Sequence, residues 1–372
     1  MEHPRIIISG GGTGGHIFPA LSIAESVKEI EAGAEFLFVG AQGRMEMERV
    51  PAAGYTIKGL PVSGLQRRLS LENLSLPCKI VKSVRMASRI IDEFKPDVAV
   101  GVGGYASGPL LWAATRKGIP TLIQEQNSYA GLTNRILGRR ADVICTAYDN
   151  MERFFPQEKI ILTGNPIRKS IYSPTEEARS EGLEFYNLDP GRKTILVVGG
   201  SLGSATLNRT VKMWVDRQPS NPSPYQVIWQ CGTSYSGAIE PSKTTAGAPN
   251  VRLTKFIKRM DLAFAAADVI ISRAGAGTIS ELCVVGKPVI FVPSPNVTED
   301  HQTHNAEALV NKGAALMVSD ADAPAKAMEM AENLLADEET CARMSHNILQ
   351  LQRSDAGARI AAEVLALARR NR

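Results

Sequence analysis

Three glycine-rich turns and the polar residues beside them are where this sequence could do chemistry. The first follows Ile6, Ile7 and Ile8 and runs Gly10, Gly11, Gly12, Thr13, Gly14, Gly15, with His16 next. Gly10, Gly12 and Gly15 satisfy the G-x-G-x-x-G spacing of a strand-to-helix turn that meets phosphate. Two readings stay open: backbone contact with a phosphate or diphosphate at a helix start, or a turn that only permits close packing. The dinucleotide version wants an acid at the end of the second strand, where this chain has Val39, Gly40, Ala41 and Gln42. The triphosphate-loop version wants Lys followed by Ser or Thr, which is absent. His16 at a helix entrance feels the positive end of the dipole, which favours a neutral imidazole. It is a candidate general base, or a residue that caps backbone groups and orders the loop.

The second half repeats the device. "VVGGSLGSATLN" sets Gly199, Gly200, Ser201 and Gly203 between a strand and a helix, where amides and the Ser201 hydroxyl are suited to a diphosphate. "SRAGAGTISE" follows the strand ending at Ser272, with Glu281 in the first turns of a helix, able to accept from a ribose diol or to serve as an ordinary helix-start acid. "EDHQTHNAEAL" puts Gln302 and Asn305 on one helix face, and amides suit sugar hydroxyls because they both donate and accept. Together the three favour a nucleotide sugar or similar ligand. His301 and His304 have a spacing that permits a metal, but no third ligand stands out and no metal site is expected.

These turns need strands and helices to hold them. Probable strands are 5–9, 35–39, 98–101, 121–124 and 143–146 in the first half, and 194–198, 226–230, 251–254, 269–272 and 289–292 in the second. Helical stretches include 20–31, 80–93, 205–215, 260–267 and 278–284, and the tail from 322 to 370 reads as helical. The pattern predicts two α/β domains, each a parallel sheet covered by helices, with ligand in a cleft between strand ends. A polar stretch from 164 to 185 reads as the linker. The expected division is 1–165, 166–350, and a terminal segment 351–372 packing back on the first domain.

The chain has 372 residues, 44% hydrophobic and 22% charged, with a formal net charge of +4. This is a globular profile, and the mild charge gives no reason to expect nucleic acid. The five cysteines are scattered and read as reduced. No signal-like start or membrane-length apolar run is evident, so the expectation is a cytoplasmic protein, with membrane-surface binding open. The stretch 67–89 carries Arg67, Arg68, Lys79, Lys82, Arg85 and Arg89 against the single acid Glu72, interleaved with leucines and with Ile80, Val81 and Val84. It is either an anionic-lipid surface or a solvated helix whose apolar side packs inward.

The ordered set "GGGTGGHIFPA", "GVGGYASGP", "QEQNSYAGLTNRIL", "GNPIR", "VVGGSLGSATLN", "SRAGAGTISEL" and "HQTHNA" resembles the bacterial undecaprenyl-diphospho-muramoylpentapeptide β-N-acetylglucosaminyltransferase family over roughly the whole chain. The resemblance implies a GT-B glycosyltransferase fold, two Rossmann-like domains facing across a cleft. It implies inverting transfer from UDP-N-acetylglucosamine to the C4 hydroxyl of undecaprenyl-diphospho-N-acetylmuramoyl-pentapeptide, with neither cofactor nor metal, at the cytoplasmic face of the inner membrane. By position it implies donor contacts from Thr13, Gly14, Gly15, Asn127, Arg168, Ser201, the backbone of Ile257, the stretch Ala276, Gly277, Thr278, Ile279, Ser280 and Glu281, and Gln302. His16 matches the proposed base, with Glu125 a weaker alternative, and Tyr105 and Ser107 fall on the acceptor side. Gln124 stands where the family often has His, and Leu202, Gly203 and Ser204 where it often has Gln and Ala. A sugar-nucleotide 2-epimerase, a transferase for another lipid, and a non-catalytic nucleotide-sugar binder are the rival readings.

Overall fold

The computed structural model describes residues 3–62, 76–218, 222–237, 239, 245 and 247–371. They form two compact units, Met1–Ile167 with Arg353–Arg372, and Arg168–Gln352.

The first unit is a seven-stranded sheet. Its strands are β1 (Arg5–Gly10), β2 (Glu35–Ala41), β3 (Thr56–Leu60), β4 (Val98–Gly103), β5 (Thr121–Glu125), β6 (Val143–Thr146) and β7 (Ile160–Leu162), in the order β3-β2-β1-β4-β5-β6-β7. All pairings are parallel. Both faces are covered, so the central strands are apolar without alternation. Ile6 and Ile8 enter one core with Ile17, Ala20 and Ile23, while Ile7 enters another with Ile90, Ile91 and Leu110. The helix Ala356–Arg370 belongs to the first of these cores through Ile360, Ala361, Val364 and Leu365.

The second unit is a six-stranded sheet: β8 (Thr194–Val198), β9 (Gln226–Gln230), β10 (Val251–Thr254), β11 (Val269–Ser272), β12 (Val289–Phe291) and β13 (Leu316–Met317), in the order β10-β9-β8-β11-β12-β13. This is the doubly wound order of a mononucleotide-binding pair. Ile195 and Val197 pack on Leu207, Val211 and Trp214 of the helix Ala205–Arg217. In each unit the strand order reverses at one point, between β1 and β4 and between β8 and β11. The carboxyl ends of those strands are where open α/β sheets bind ligands.

Several elements escape the sequence pattern. The edge strand β3 reads Thr-Ile-Lys-Gly-Leu and is only partly buried, so it lacks the apolar run of a central strand. β7 and β13 are short, with three and two residues. The first helix spans Gly14–Ile30, beginning before the expected position 20. Gly14 and Gly15 are poor helix formers, but first-turn amides need no intrahelical partner. The 164–185 stretch is not all linker. Glu176–Phe185 is a helix capped by the Thr175 hydroxyl, packed through Ala178 and Leu183, and tied by Arg179 to Asp268 at 3.0 Å. The helical tail is divided into Ala323–Ala336, Glu338–Leu349 and Ala356–Arg370. No disulfide joins any of the cysteines among the described residues, and burial pushes the Cys145 thiol up to about 12.

Candidate functional site

In the first unit the site forms where β1 and β4 end. Thr13 precedes the helix in an extended conformation, and its carbonyl accepts from the amides of His16 at 3.1 Å and Ile17 at 3.2 Å. No acid sits in this helix's first turn. The amides of Gly14 and Gly15 therefore face outward from a helix start of the kind that takes anions. His16 Nδ1 lies 3.2 Å from the Gly11 carbonyl and 3.4 Å from Thr13 Oγ1. A carbonyl only accepts, so the network assigns the ring proton to Nδ1 and leaves Nε2 as the basic nitrogen of the neutral ring. The ring rests on Gly103, where φ is +101° and a Cβ would stand 2.6 Å from Cδ2. Gly104, with φ +87°, would drive a Cβ into the Gly11 carbonyl. Tyr105 beside them is exposed. Ser107 is buried, and its hydroxyl lies 2.9 Å from Ser9 O and 2.8 Å from Gly103 O, joining the ends of β1 and β4.

At the end of β5, Glu125 is buried and saturated. Its Oε1 accepts from the Asn127 amide at 3.0 Å and from Asn127 Nδ2 at 3.2 Å. Its Oε2 accepts from the Gly131 amide at 3.1 Å and from Asn134 Nδ2 at 2.9 Å. Four donors on one carboxylate suit a clamp on the Asn127 loop better than a group that must receive a proton from substrate. Below it lies a buried amide network that sequence reasoning missed. Gln124 Nε2 donates to Asn165 Oδ1 at 2.8 Å, Asn165 Nδ2 to Gln126 O at 3.1 Å, and Gln126 Nε2 to Val102 O at 2.7 Å and to Gln124 Oε1. Gln124 thus ties the end of β5 to Asn165 and Gln126.

In the second unit, Arg168 and Glu281 are partners. Nε and Nη2 of Arg168 donate to the two carboxylate oxygens of Glu281 at 2.6 and 2.7 Å. The arginine side chain is 54% exposed and the glutamate 11%. The hydrogen bond to Glu281 raises the Arg168 pKa above its ordinary value. The fork is bidentate, so each group fixes the plane of the other. Sequence reading had given them separate ligand contacts.

Glu281 projects from the helix Ala276–Val285, which Gly275 opens without a side-chain cap. Amides of Ala276, Gly277 and Thr278 face outward at its start. Ile279 is buried with its amide bonded to Gly275 O at 2.9 Å, and the Ser280 hydroxyl donates to Ala276 O at 3.0 Å, so these two build the helix. Gln302 Oε1 accepts from the amides of Ala274 at 3.2 Å and Ser294 at 2.9 Å. Both partners are donors, which fixes the amide orientation and turns its NH2 away from them. The β8 turn keeps Ser201 exposed, with its carbonyl accepting from the Thr233 amide at 3.2 Å. Leu202 next to it is 65% exposed. The Ile257 side chain is buried, in the segment that follows β10.

Arg273 opens the turn read from "SRAGAGTISE", where the sequence alone assigns it no role of its own. It donates to Asp320 at 2.6 Å, Ser204 Oγ at 2.6 Å, and the carbonyls of Val292 and Pro293 at 2.9 and 3.0 Å. It locks the β11 turn to the β8 helix start from within. Its place one residue beyond β11 was the available signal. Among the described residues no cluster of three metal-ligating side chains occurs. His301 and His304 lie instead beside Glu299 at 3.7 Å and Glu307 at 3.4 Å.

The sequence matches the models of the glycosyltransferase family 28 N-terminal domain over residues 6–146 and of its C-terminal domain over 194–360. Two curated relatives carry the name UDP-N-acetylglucosamine–N-acetylmuramyl-(pentapeptide) pyrophosphoryl-undecaprenol N-acetylglucosamine transferase. The one from Phocaeicola vulgatus is 55% identical over 368 residues, covering 99% of this chain and 97% of the relative. The one from Parabacteroides distasonis is 53% identical over 371 residues, covering 99% of each. The crystal structure of Acinetobacter baumannii MurG superposes with a TM-score of 0.79 at 30% identity, covering 98% of this chain and 99% of that one. The two doubly wound units are accordingly those of a GT-B glycosyltransferase. Curated relatives 53–55% identical over 99% of the chain select the transferase over the epimerase reading, and the chain belongs to the family of UDP-N-acetylglucosamine–N-acetylmuramyl-(pentapeptide) pyrophosphoryl-undecaprenol N-acetylglucosamine transferases.

Proposed function

We infer that this chain transfers N-acetylglucosamine from UDP-N-acetylglucosamine to the muramoyl sugar of undecaprenyl-diphospho-muramoylpentapeptide, with the acceptor C4 hydroxyl as nucleophile, inversion at the donor C1, and His16 as base. The first part is the family's activity. The assignment of the base is carried by one observation, the Nδ1 contact to Gly11, which leaves Nε2 to receive a proton. In the step, the acceptor oxygen attacks C1 and its proton passes to His16 Nε2. The C1–O bond to phosphate breaks and UDP leaves with the electron pair. The leaving charge is met by amides at helix starts, since preorganised dipoles cost no reorganisation during the reaction. Ser201 and the Ala276–Thr278 turn are the donor diphosphate contacts in this reading, with Thr13, Gly14 and Gly15 lining the reaction side. Glu281, held by Arg168, accepts from the ribose diol. The backbone of Ile257 meets uracil, and the Gln302 NH2 and Asn127 reach the sugar. Glu125 positions Asn127. Tyr105 faces the acceptor.

The acceptor is a lipid, and no described helix is long and apolar enough to cross a membrane. We place peripheral binding to an anionic cytoplasmic leaflet on the stretch 67–89. Residues 67–75 lie outside the described residues. In the helix Leu76–Phe94, Ile80, Val81, Lys82, Arg85 and Arg89 are exposed while Ala87, Ile90 and Ile91 are buried, which supports an outward basic-apolar face.

A transfer assay with UDP-N-acetylglucosamine and the lipid-linked muramoyl-pentapeptide tests the reading. His16→Ala lowers kcat by on the order of a hundredfold, and donor affinity stays within a few-fold. A large loss of donor affinity with modest loss of kcat would make His16 a diphosphate contact instead.

A further inference from the structure

We infer that Glu46 is a positioning residue for the base: the Glu46 carboxylate and the His16 imidazole hold the two ends of a single peptide group, the one joining Gly11 to Gly12. Glu46 Oε2 accepts from the Gly12 N–H at 2.9 Å, and Oε1 accepts from the Ala41 N–H at 3.0 Å. The carbonyl of that same peptide, Gly11 C=O, accepts from His16 Nδ1 at 3.2 Å. Carboxylate, amide and imidazole therefore form two hydrogen bonds in series through one resonant unit. A charged acceptor on the N–H end raises the electron density at the carbonyl, and serial hydrogen bonds strengthen one another. When Nε2 takes the proton of the acceptor hydroxyl, the ring becomes a cation and its Nδ1–H bond tightens. A better carbonyl acceptor favours that state and holds the ring tautomer that leaves Nε2 basic. A directly bonded carboxylate does this for the histidine of a Ser-His-Asp triad; here the effect passes through a peptide.

The surroundings are built for this bracket. The Glu46 side chain is fully buried at 0% exposure, so water does not compete for its oxygens. A Cβ on Gly11 would overlap the Glu46 carboxylate, and one on Gly40 would stand 2.5 Å from its Cγ. Gly40 and Gly104 lie outside the G-x-G-x-x-G run, and a phosphate cradle gives no reason for them. Room for Glu46 and for the Gly11–Gly12 peptide does.

The inference rests on His16 being the base, and the test separates the two. Glu46→Gln, Glu46→Asp and His16→Gln are compared in the full chain for kcat, donor KM and the 15N shifts of the His16 ring. Glutamine keeps the size but turns an NH2 toward one of the two backbone donors. Expected for Glu46→Gln is a loss in kcat of roughly tenfold or more, with donor KM within about threefold, and a shift away from the Nδ1–H tautomer. Glu46→Asp, which keeps the charge, recovers part of both. Unchanged kcat and tautomer in Glu46→Gln overturn the proposal, as does a loss of kcat with the tautomer intact and no recovery by aspartate. If Glu46→Gln does not fold, Glu46→Asp decides: a moved Gly12 amide-proton shift with wild-type kcat and tautomer overturns it. Full activity in His16→Gln removes the base reading alone, because the ring shifts still report whether Glu46 sets the imidazole.

Discussion

Arg168 and Glu281 are 113 positions apart in sequence and meet as a bidentate pair. Their consequence for binding is that neither acts alone. Glu281 is nearly buried and oriented by the guanidinium, so removing Arg168 frees the carboxylate to rotate and, if Glu281 holds the ribose diol as proposed, weakens that hold. A pair this exposed on the arginine side adds only about 1 kcal/mol to stability, which leaves orientation as the larger effect. Arg168→Ala and Glu281→Ala should each raise the donor KM by about tenfold, and the double variant by no more than about threefold beyond the worse single one. A double-mutant cycle on KM checks this, and full additivity would show independent ligand contacts. At this scale the sequence was a good guide to which side chains stand at strand ends. It could not pair them, it passed over Glu46, Gln126 and Asn165, and it left Arg273 without a role of its own, because all four act through contacts with residues distant in the chain.

Among the elements, the helix Leu76–Phe94 shows how one sequence stretch serves two surroundings. Ala87, Ile90 and Ile91 face the core at helical spacing, while Ile80, Val81, Lys82, Arg85 and Arg89 remain outside. Exposed basic residues near an anionic leaflet are worth roughly 1 kcal/mol each. The triple change Lys82→Glu, Arg85→Glu and Arg89→Glu should therefore cut co-sedimentation with phosphatidylglycerol vesicles by more than tenfold, leaving neutral-vesicle binding unchanged. Undiminished pelleting would remove this face from the proposal. Alternation of β and α was readable because buried parallel strands are continuously apolar. The helix Glu176–Phe185 was not, since its buried side is narrow, with Ala178, Gly182 and Leu183, and the rest of its surface is polar.

For the whole molecule, the end of the chain matters to its beginning. The helix Ala356–Arg370 lays Ile360, Val364, Leu365 and Leu367 into the core built around Ile17, Leu21 and Val27, and Asn371 Nδ2 donates to Asp97 O at 3.2 Å. Burying such side chains is worth about 1.5–3 kcal/mol each, so four of them rival the roughly 5–15 kcal/mol that holds a domain together. A chain ending at Gln352 should lose the calorimetric transition of the first unit and keep that of the second. Two unchanged transitions would show the helix to be dispensable. Sequence by itself determined the class of fold, the two glycine-turn halves and the family, because strand burial, turn geometry and ordered motifs are local and each leaves its mark within about a dozen residues. Tertiary structure alone revealed the buried bonds of Gln124, the four donors on Glu125, the fork between Arg168 and Glu281, and the buried glutamate that holds the peptide behind His16. Those are contacts between segments far apart in the chain, and a hydrogen bond between such segments exists only once the sheets have brought their ends together.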